Sequence, residues 1–487
     1  MLRLVVAGIA AATLLASPAF AFDNTEPLAN KQWYITHDEG WSYWPTLPKL
    51  FGVKVAVIDT GIDGTHPDLA GRVIMAKSFV GGSPYRDDLG HGTFVAGLIA
   101  ANPSNGFGIA GLGFNAQLMV AKVVDRDGDI SLQGEVDAIR WAADNGARVI
   151  NLSLGGVRDP LDPTLDTYSP LEEAAVEYAY SKGVVVVAAV GNGPQSPHTP
   201  WNFAHYPSAL PHVIGVSAVR ENGSVPEYSN RDTVYNDLAA PGDAIFSTIP
   251  QNLVDPARPE CADRPFSDCG PPEFRQGIGT SFAAPQVSAA AALLIGQDPS
   301  LTPDQVAWLL ERNADDANAS TGCTTCPTGR DAYTGWGTLD VLASLTALTE
   351  GPGLPAPDRL EPNDDAGPWA HALPPLPRTI SASLDYWDDN IDVYRVHLDK
   401  GRSLFARLTP SGRANVRVAV WPPGTQSVEP RTVKQRLATS PVAKSSRVGA
   451  QERVSVRAKV SGTYYVEAKL VTPAHEPVQY RLALSRR

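Results

Sequence analysis

SPLEEAAVEYAYSKGVVVVAAVGNG, residues 169–193, holds one complete turn of the fold. Ser169-Pro170-Leu171-Glu172 reads as a capping box with proline at the first helical position, where its missing N–H is harmless. Gly183 stops the helix. VVVVAAV (184–190) follows without one polar residue. A strand with one wet face alternates, so an unbroken apolar run predicts a strand covered on both faces, as in a parallel sheet. KVAVI (54–58), LMVAKVV (118–124) and VINLSL (149–154) read the same way, and Thr302-Pro303-Asp304-Gln305 repeats the helix-starting chemistry. Strands alternating with helices predict an α/β doubly wound domain, whose sites form at the carboxyl ends of the strands.

The character changes after a Pro/Gly-rich stretch at 350–357. NIDVYRVHL (390–398), SLFARL (403–408), VRVAVW (416–421), RVSVRAKV (453–460) and TYYVEAKL (463–470) alternate apolar with polar between turn residues. Period two predicts a small antiparallel β-sandwich. The expected organisation is a signal peptide at 1–21, the α/β domain at 22–349, a linker at 350–357 and the sandwich at 358–487. The signal reading rests on Arg3, a short apolar run and the small-x-small site Ala19-Phe20-Ala21. It predicts a secreted protein, extracellular or periplasmic, with no stable membrane anchor.

A net charge of −12 over 487 residues opposes nonspecific binding to nucleic acid. Four cysteines suit an oxidising compartment. Pairing each with its sequence neighbour gives Cys261–Cys269 and Cys323–Cys326. No histidine lies near either pair, which disfavours zinc.

Three strings supply chemistry. VIDTGID carries Asp59 at a strand end, HGTFVAG opens on His91, and GTSFAAP carries Ser281 at a helix start. Carboxylate, imidazole and hydroxyl are the parts of a nucleophilic triad, and a helix start favours developing negative charge. Asp-Thr-Gly also occurs in aspartic proteases, but those need a second such motif, and the chain has none.

The order Asp, His, Ser within these strings resembles the subtilase family of serine endopeptidases, although Phe94 stands where the family most often has a second histidine. The resemblance implies a subtilisin-like fold and peptide-bond hydrolysis through Asp59, His91 and Ser281, with Asn192 of Gly-Asn-Gly in the oxyanion hole. It implies that Ser153, Leu154 and Gly155 form one wall of the substrate cleft, and Ala189 and Gly191 the other. No acid lies in these walls, so a broad apolar preference is expected, which the insertion at 196–203 can narrow. A cis peptide is expected at Tyr206-Pro207. The family's calcium site implies Asp68 and Asn105, carbonyls from Asn102, Phe107 and Ile109, and Glu26. The partners expected are polypeptide substrates, and the protein is expected to act as a monomer. KQWYI (31–35) resembles the start of the family's catalytic domain and follows the signal segment almost directly, where relatives usually carry a propeptide. The part after the linker resembles pre-peptidase C-terminal domains, through Glu361-Pro362-Asn363-Asp364, the Asp-rich turn before Val393, and Gly462-Thr463-Tyr464-Tyr465.

Overall fold

A computed structural model describes residues 24–487, except 254–272, 352, 357, 429–439, 448–450 and 475. The signal segment and the expected Cys261–Cys269 pair lie outside the described residues.

Seven strands form the first sheet: β1 (Val53–Asp59), β2 (Val73–Ser78), β3 (Ala116–Lys122), β4 (Val149–Leu152), β5 (Val185–Ala189), β6 (Val213–Val219) and β7 (Leu238–Pro241). They run parallel in the order β2-β3-β1-β4-β5-β6-β7. The helices are α1 (Trp33–His37), α2 (His91–Ala100), α3 (Leu132–Asp144), α4 (Pro170–Ser181), α5 (Thr280–Gln297), α6 (Pro303–Arg312) and α7 (Val341–Glu350).

The apolar runs are continuous because successive residues feed two cores. Val55 and Val57 enter one with Phe94 of α2 and Phe282 of α5. Ala56 and Ile58 enter the other with Ile139 of α3 and Val176 of α4. β5 divides likewise, Val185 and Val187 on one side and Val186 and Ala188 on the other. Burying each such valine contributes about 1.5–3 kcal/mol, so one polar substitution in these strands damages a core whichever face it meets. Edge strand β2 reads differently because its residues are mostly half-buried.

Helix starts follow the expected chemistry. The Thr302 hydroxyl accepts from Gln305 N while the Gln305 side chain accepts from Thr302 N, closing a full capping box on α6. At α4 only half of the expected box forms: the Ser169 hydroxyl accepts from Glu172 N at 3.4 Å. Gly183 has φ +78°, the left-handed region that ends this helix. A short antiparallel pair, β8 (Ile245–Thr248) with β9 (Phe274–Gly277), packs beside α2.

After α7 come β10 (His371–Ala372), β11 (Arg378–Leu384), β12 (Ile391–Leu398), β13 (Ser403–Pro410), β14 (Val416–Trp421), β15 (Ala443–Ser446), β16 (Glu452–Arg457), β17 (Gly462–Leu470) and β18 (Val478–Arg486). They make two sheets, β10-β12-β17-β14-β15 and β11-β18-β13-β16, antiparallel apart from the pairing of β10 with β12. Leu404, Leu408, Leu482 and Val466 fill the space between them. The fold class matches the sequence reading in both parts.

The two parts meet through charge and aromatic rings. The Arg312 guanidinium lies 3.7 Å from the Trp336 ring centroid and donates to Asp385 at 2.8 Å. Arg330 stands 3.7 Å from the Trp387 ring. His212 is held between Glu177 (3.1 Å) and Asp364 (3.6 Å) and stacks on Tyr180 at 3.6 Å. Burial alone would lower its pKa, but Asp364, Glu177 and Asp304 outweigh that and raise it to about 10. A histidine raised in the folded state stabilises fully below its unfolded pKa of about 6.5, and that contribution fades as pH climbs toward 10. Thermal unfolding of the parent should therefore lose stability from pH 6.5 to 10 more steeply than that of His212→Gln. Near pH 6 the variant should be weaker by about 3–5 kcal/mol, because two buried carboxylates lose their cation. Equal slopes for the two proteins would reject the pairing.

Candidate active site

Asp59 ends β1, His91 opens α2, and Ser281 stands in the first turn of α5. α2 packs against both β1 and α5, so elements far apart in the chain meet here. The His91 Nδ1 lies 2.8 and 3.0 Å from the two Asp59 carboxylate oxygens. The His91 ring lies 5.6 Å from the ring of Phe282, the residue after Ser281, and Phe282 packs on Phe94 at 4.2 Å. Phe94, the departure from the family pattern, thus joins α2 to α5 through aromatic contact. Burial pulls the His91 pKa down, but the charge and hydrogen bond of Asp59, helped by Asp87, raise it overall above the ordinary histidine value.

Asp87 is a part that the sequence reading missed. Its carboxylate is fully buried and accepts from Gly90 N, Thr93 N and the hydroxyls of Thr60 and Thr93. Thr60 in turn accepts from Gly92 N. One acid therefore caps α2 and ties the loop after Asp59 to it. Its sequence signal is an acid just before a helix start, easily taken for a solvated side chain. Close approach is also required at Gly92, where a Cβ would fall 2.1 Å from Gly61 O and 3.2 Å from the Asp59 Cβ. Gly92→Ala should push the imidazole off its carboxylate and lower kcat about a hundredfold. Steady-state kinetics with a peptide substrate checks this, and a near-normal kcat would contradict it.

The Ser281 turn is held by an unusual bond. Pro285 has no N–H to give the Ser281 carbonyl four residues back. The Ser153 hydroxyl donates to that carbonyl instead, at 2.8 Å. Asn151 donates to Ser153 and accepts from Ser288, which fastens the end of β4 to α5. Asn192 lies beside the same turn. Its carbonyl oxygen accepts from Thr280 N at 3.0 Å, and its amide nitrogen donates to Gln195 at 3.3 Å. Gly279 has φ +144°, and a Cβ there would come into van der Waals contact with Asn192 Nδ2 and Oδ1 (3.7 Å each) and with Ser281 N (3.8 Å).

Ser153, Leu154 and Gly155 follow β4, while Ala189 ends the adjacent β5 and Gly191 lies just beyond it. Gly155 is exposed, Gly156 bridges Tyr206, and the Tyr206–Pro207 bond is cis. The insertion is anchored by Trp201, which is buried and donates to Arg158 O, and by Ser196, which bonds His205. Cys323 and Cys326 are disulfide-bonded, as the pairing with the sequence neighbour expects, and both are buried beside Ala317 and Tyr333.

The expected cation ligands converge in part. Asp68 accepts from Asn105 Nδ2 (2.9 Å) and Ile109 N (2.8 Å), and Asn105 accepts from Phe107 N. Gly106 N donates to Glu26 Oε1, while Glu26 Oε2 is buried without a hydrogen-bond partner. Burial, added to by the Glu26 charge, pushes Asp68 up to about 7. Two buried carboxylates with an orphaned oxygen fit a hard cation. Among the described residues no helix is long and apolar enough to cross a membrane.

The subtilase family model matches residues 51–337. Thermophilic serine proteinase of Bacillus sp. (strain AK1) is 36% identical over 294 residues, covering 58% of this chain and 64% of that protein, slightly under two thirds. Thermitase of Thermoactinomyces vulgaris is 36% identical over 54% of this chain and 81% of its own length. Subtilisin E of Bacillus subtilis is 37% identical over 54% and 60%. Among solved structures, a protease from Pseudoalteromonas arctica covers 67% of this chain and 99% of its own, with TM-score 0.53 and 27% identity. With the fold, the motifs and these relatives in agreement, the chain belongs to the subtilase family of subtilisin-like serine peptidases.

Proposed function

We propose that this chain is a secreted serine endopeptidase that hydrolyses peptide bonds with Ser281 as nucleophile. The observation that carries it is the paired Asp59 carboxylate on His91 Nδ1, with the Ser281 turn packed beside that imidazole. The Ser281 hydroxyl attacks the peptide carbonyl while His91 Nε2 takes its proton. Asp59 holds the proton-bearing Nδ1 and stabilises the imidazolium. The tetrahedral oxyanion is held by Asn192 Nδ2 and Ser281 N. His91 returns its proton to the leaving amine, an acyl-enzyme remains, and water activated by His91 releases it.

The peptide lies as an added strand along 153–155, with its side chain between that wall and Ala189–Gly191. Neither wall carries an acid, which supports the apolar preference. The catalytic unit is assigned to 22–349 and the sandwich to 358–487. A serine-directed fluorophosphonate should label the parent and not Ser281→Ala. Equal labelling of both would falsify the nucleophile.

Calcium, held by Glu26, Asp68 and Asn105, would tie the N-terminal segment to the 105–109 loop by neutralising two buried carboxylates. Chelation should lower the melting temperature of the parent. Glu26→Gln/Asp68→Asn should lower it without chelator and lose most of the response to calcium, as read by thermal unfolding. An undiminished calcium response in the double variant would place the ion elsewhere.

A further inference from the structure

The two parts of the chain carry opposite charge. Residues 358–487 hold 20 of the 40 Lys and Arg but 13 of the 52 Asp and Glu, a net of +7 against −19 for the rest. Within the sandwich the charges are sorted. Asp364, Asp385 and Asp388 face the joint. The outward side of the sheet β11-β18-β13-β16 carries Arg407, Arg453, Arg457 and Arg481. Its other outward positions are Ser, Thr, Gln, Ala and Phe405, with no Asp or Glu.

Arg407 stands directly opposite Arg453 in the β13–β16 register. Like charges face to face across a ladder work against the sheet. Arg453 donates to Gln451 and Arg457 to Gly401 O, and among the described residues none of the four forms an ion pair with a carboxylate. A groove of about 660 Å³ crosses this side, lined among others by Phe405, Arg407, Arg453 and Ser455. Phe405 is 37% exposed, large for a phenylalanine in a sheet.

We propose that this groove binds a linear acidic polysaccharide. Guanidinium groups take carboxylates through two parallel N–H bonds. Adjacent strands about 4.8 Å apart and alternate residues about 6.8 Å apart present charges at the spacing of successive sugars. The serine and threonine hydroxyls match sugar hydroxyls, and Phe405 offers a flat apolar face for a ring. The shape favours a chain over a bilayer, since membrane docking needs an apolar face that enters the lipid, and here a single phenylalanine lines a groove. Nucleic acid is disfavoured by the single aromatic ring, where single-strand binders stack successive bases. The site would hold the enzyme on an anionic matrix whether or not the peptidase is at work.

The test uses the full-length protein on immobilised carboxymethyl-dextran, with neutral dextran as its uncharged twin. Binding to the first and not the second is expected. Arg407→Glu/Arg453→Glu should weaken it at least about tenfold, since charge contacts dominate such binding. Phe405→Ala should weaken it severalfold at unchanged charge. Lys444→Glu, on the other sheet, should bind like the parent. All variants should cleave a small soluble peptide at the parent's rate, which reports a folded enzyme. Undiminished binding by the double variant overturns the proposal. So does tighter binding to phosphatidylglycerol vesicles or duplex DNA than to carboxymethyl-dextran.

Discussion

Ser281→Ala should fold normally and turn over peptide about a million times more slowly, a figure carried over from the related subtilisin. The loss is that large because the hydroxyl, imidazole and carboxylate act as one unit. Without the oxygen, His91 has no proton to take and Asp59 no imidazolium to stabilise. Stability should barely change: Ser281 is half-buried, and its turn is held through the backbone carbonyl by Ser153, not through its own side chain. The measurement is kcat for a chromogenic peptide beside a thermal melt. A loss of less than about a hundredfold would mean that another group makes the attack.

Asp59→Asn should lower kcat about ten-thousandfold, again on the scale known for triads of this kind. An amide fits the same space, but its NH₂ would meet Nδ1 as a donor and turn the imidazole to the wrong tautomer. A second readout separates this from a packing fault. The base must be neutral, so the acid limb of kcat/KM follows His91 in the free enzyme. Asp59 raises that pKa. Removing its charge should therefore shift the acid limb to lower pH, so the residual activity persists into more acid solution than the parent's. An unmoved limb would show that Asp59 does not act on His91.

Much of this was legible in residue order, for physical reasons. Val184–Val190 could only be a strand dry on both faces, and Thr302-Pro303-Asp304-Gln305 could hardly be anything but a helix start. β6 and β18 went unnamed among the strands, although both have the composition of one. β2 was hidden because half-buried edge residues keep no clean period. Asp87 was missed because its value comes from Thr60, 27 positions away, and Thr93. The joint was out of reach altogether: Arg330 meets Trp387 and His212 meets Asp364 across more than fifty and more than a hundred and fifty positions, and nothing local marks such partners.

The bond from Ser153 to the Ser281 carbonyl has a mechanical corollary. The ledge on which a bound peptide would rest is also a brace for the attacking residue. A well-registered peptide would brace that ledge and, through it, steady the hydroxyl. An ill-fitting one would lodge there and leave the attacker slightly askew. Discrimination between good and poor sequences would then surface as a difference in speed, with little difference in grip.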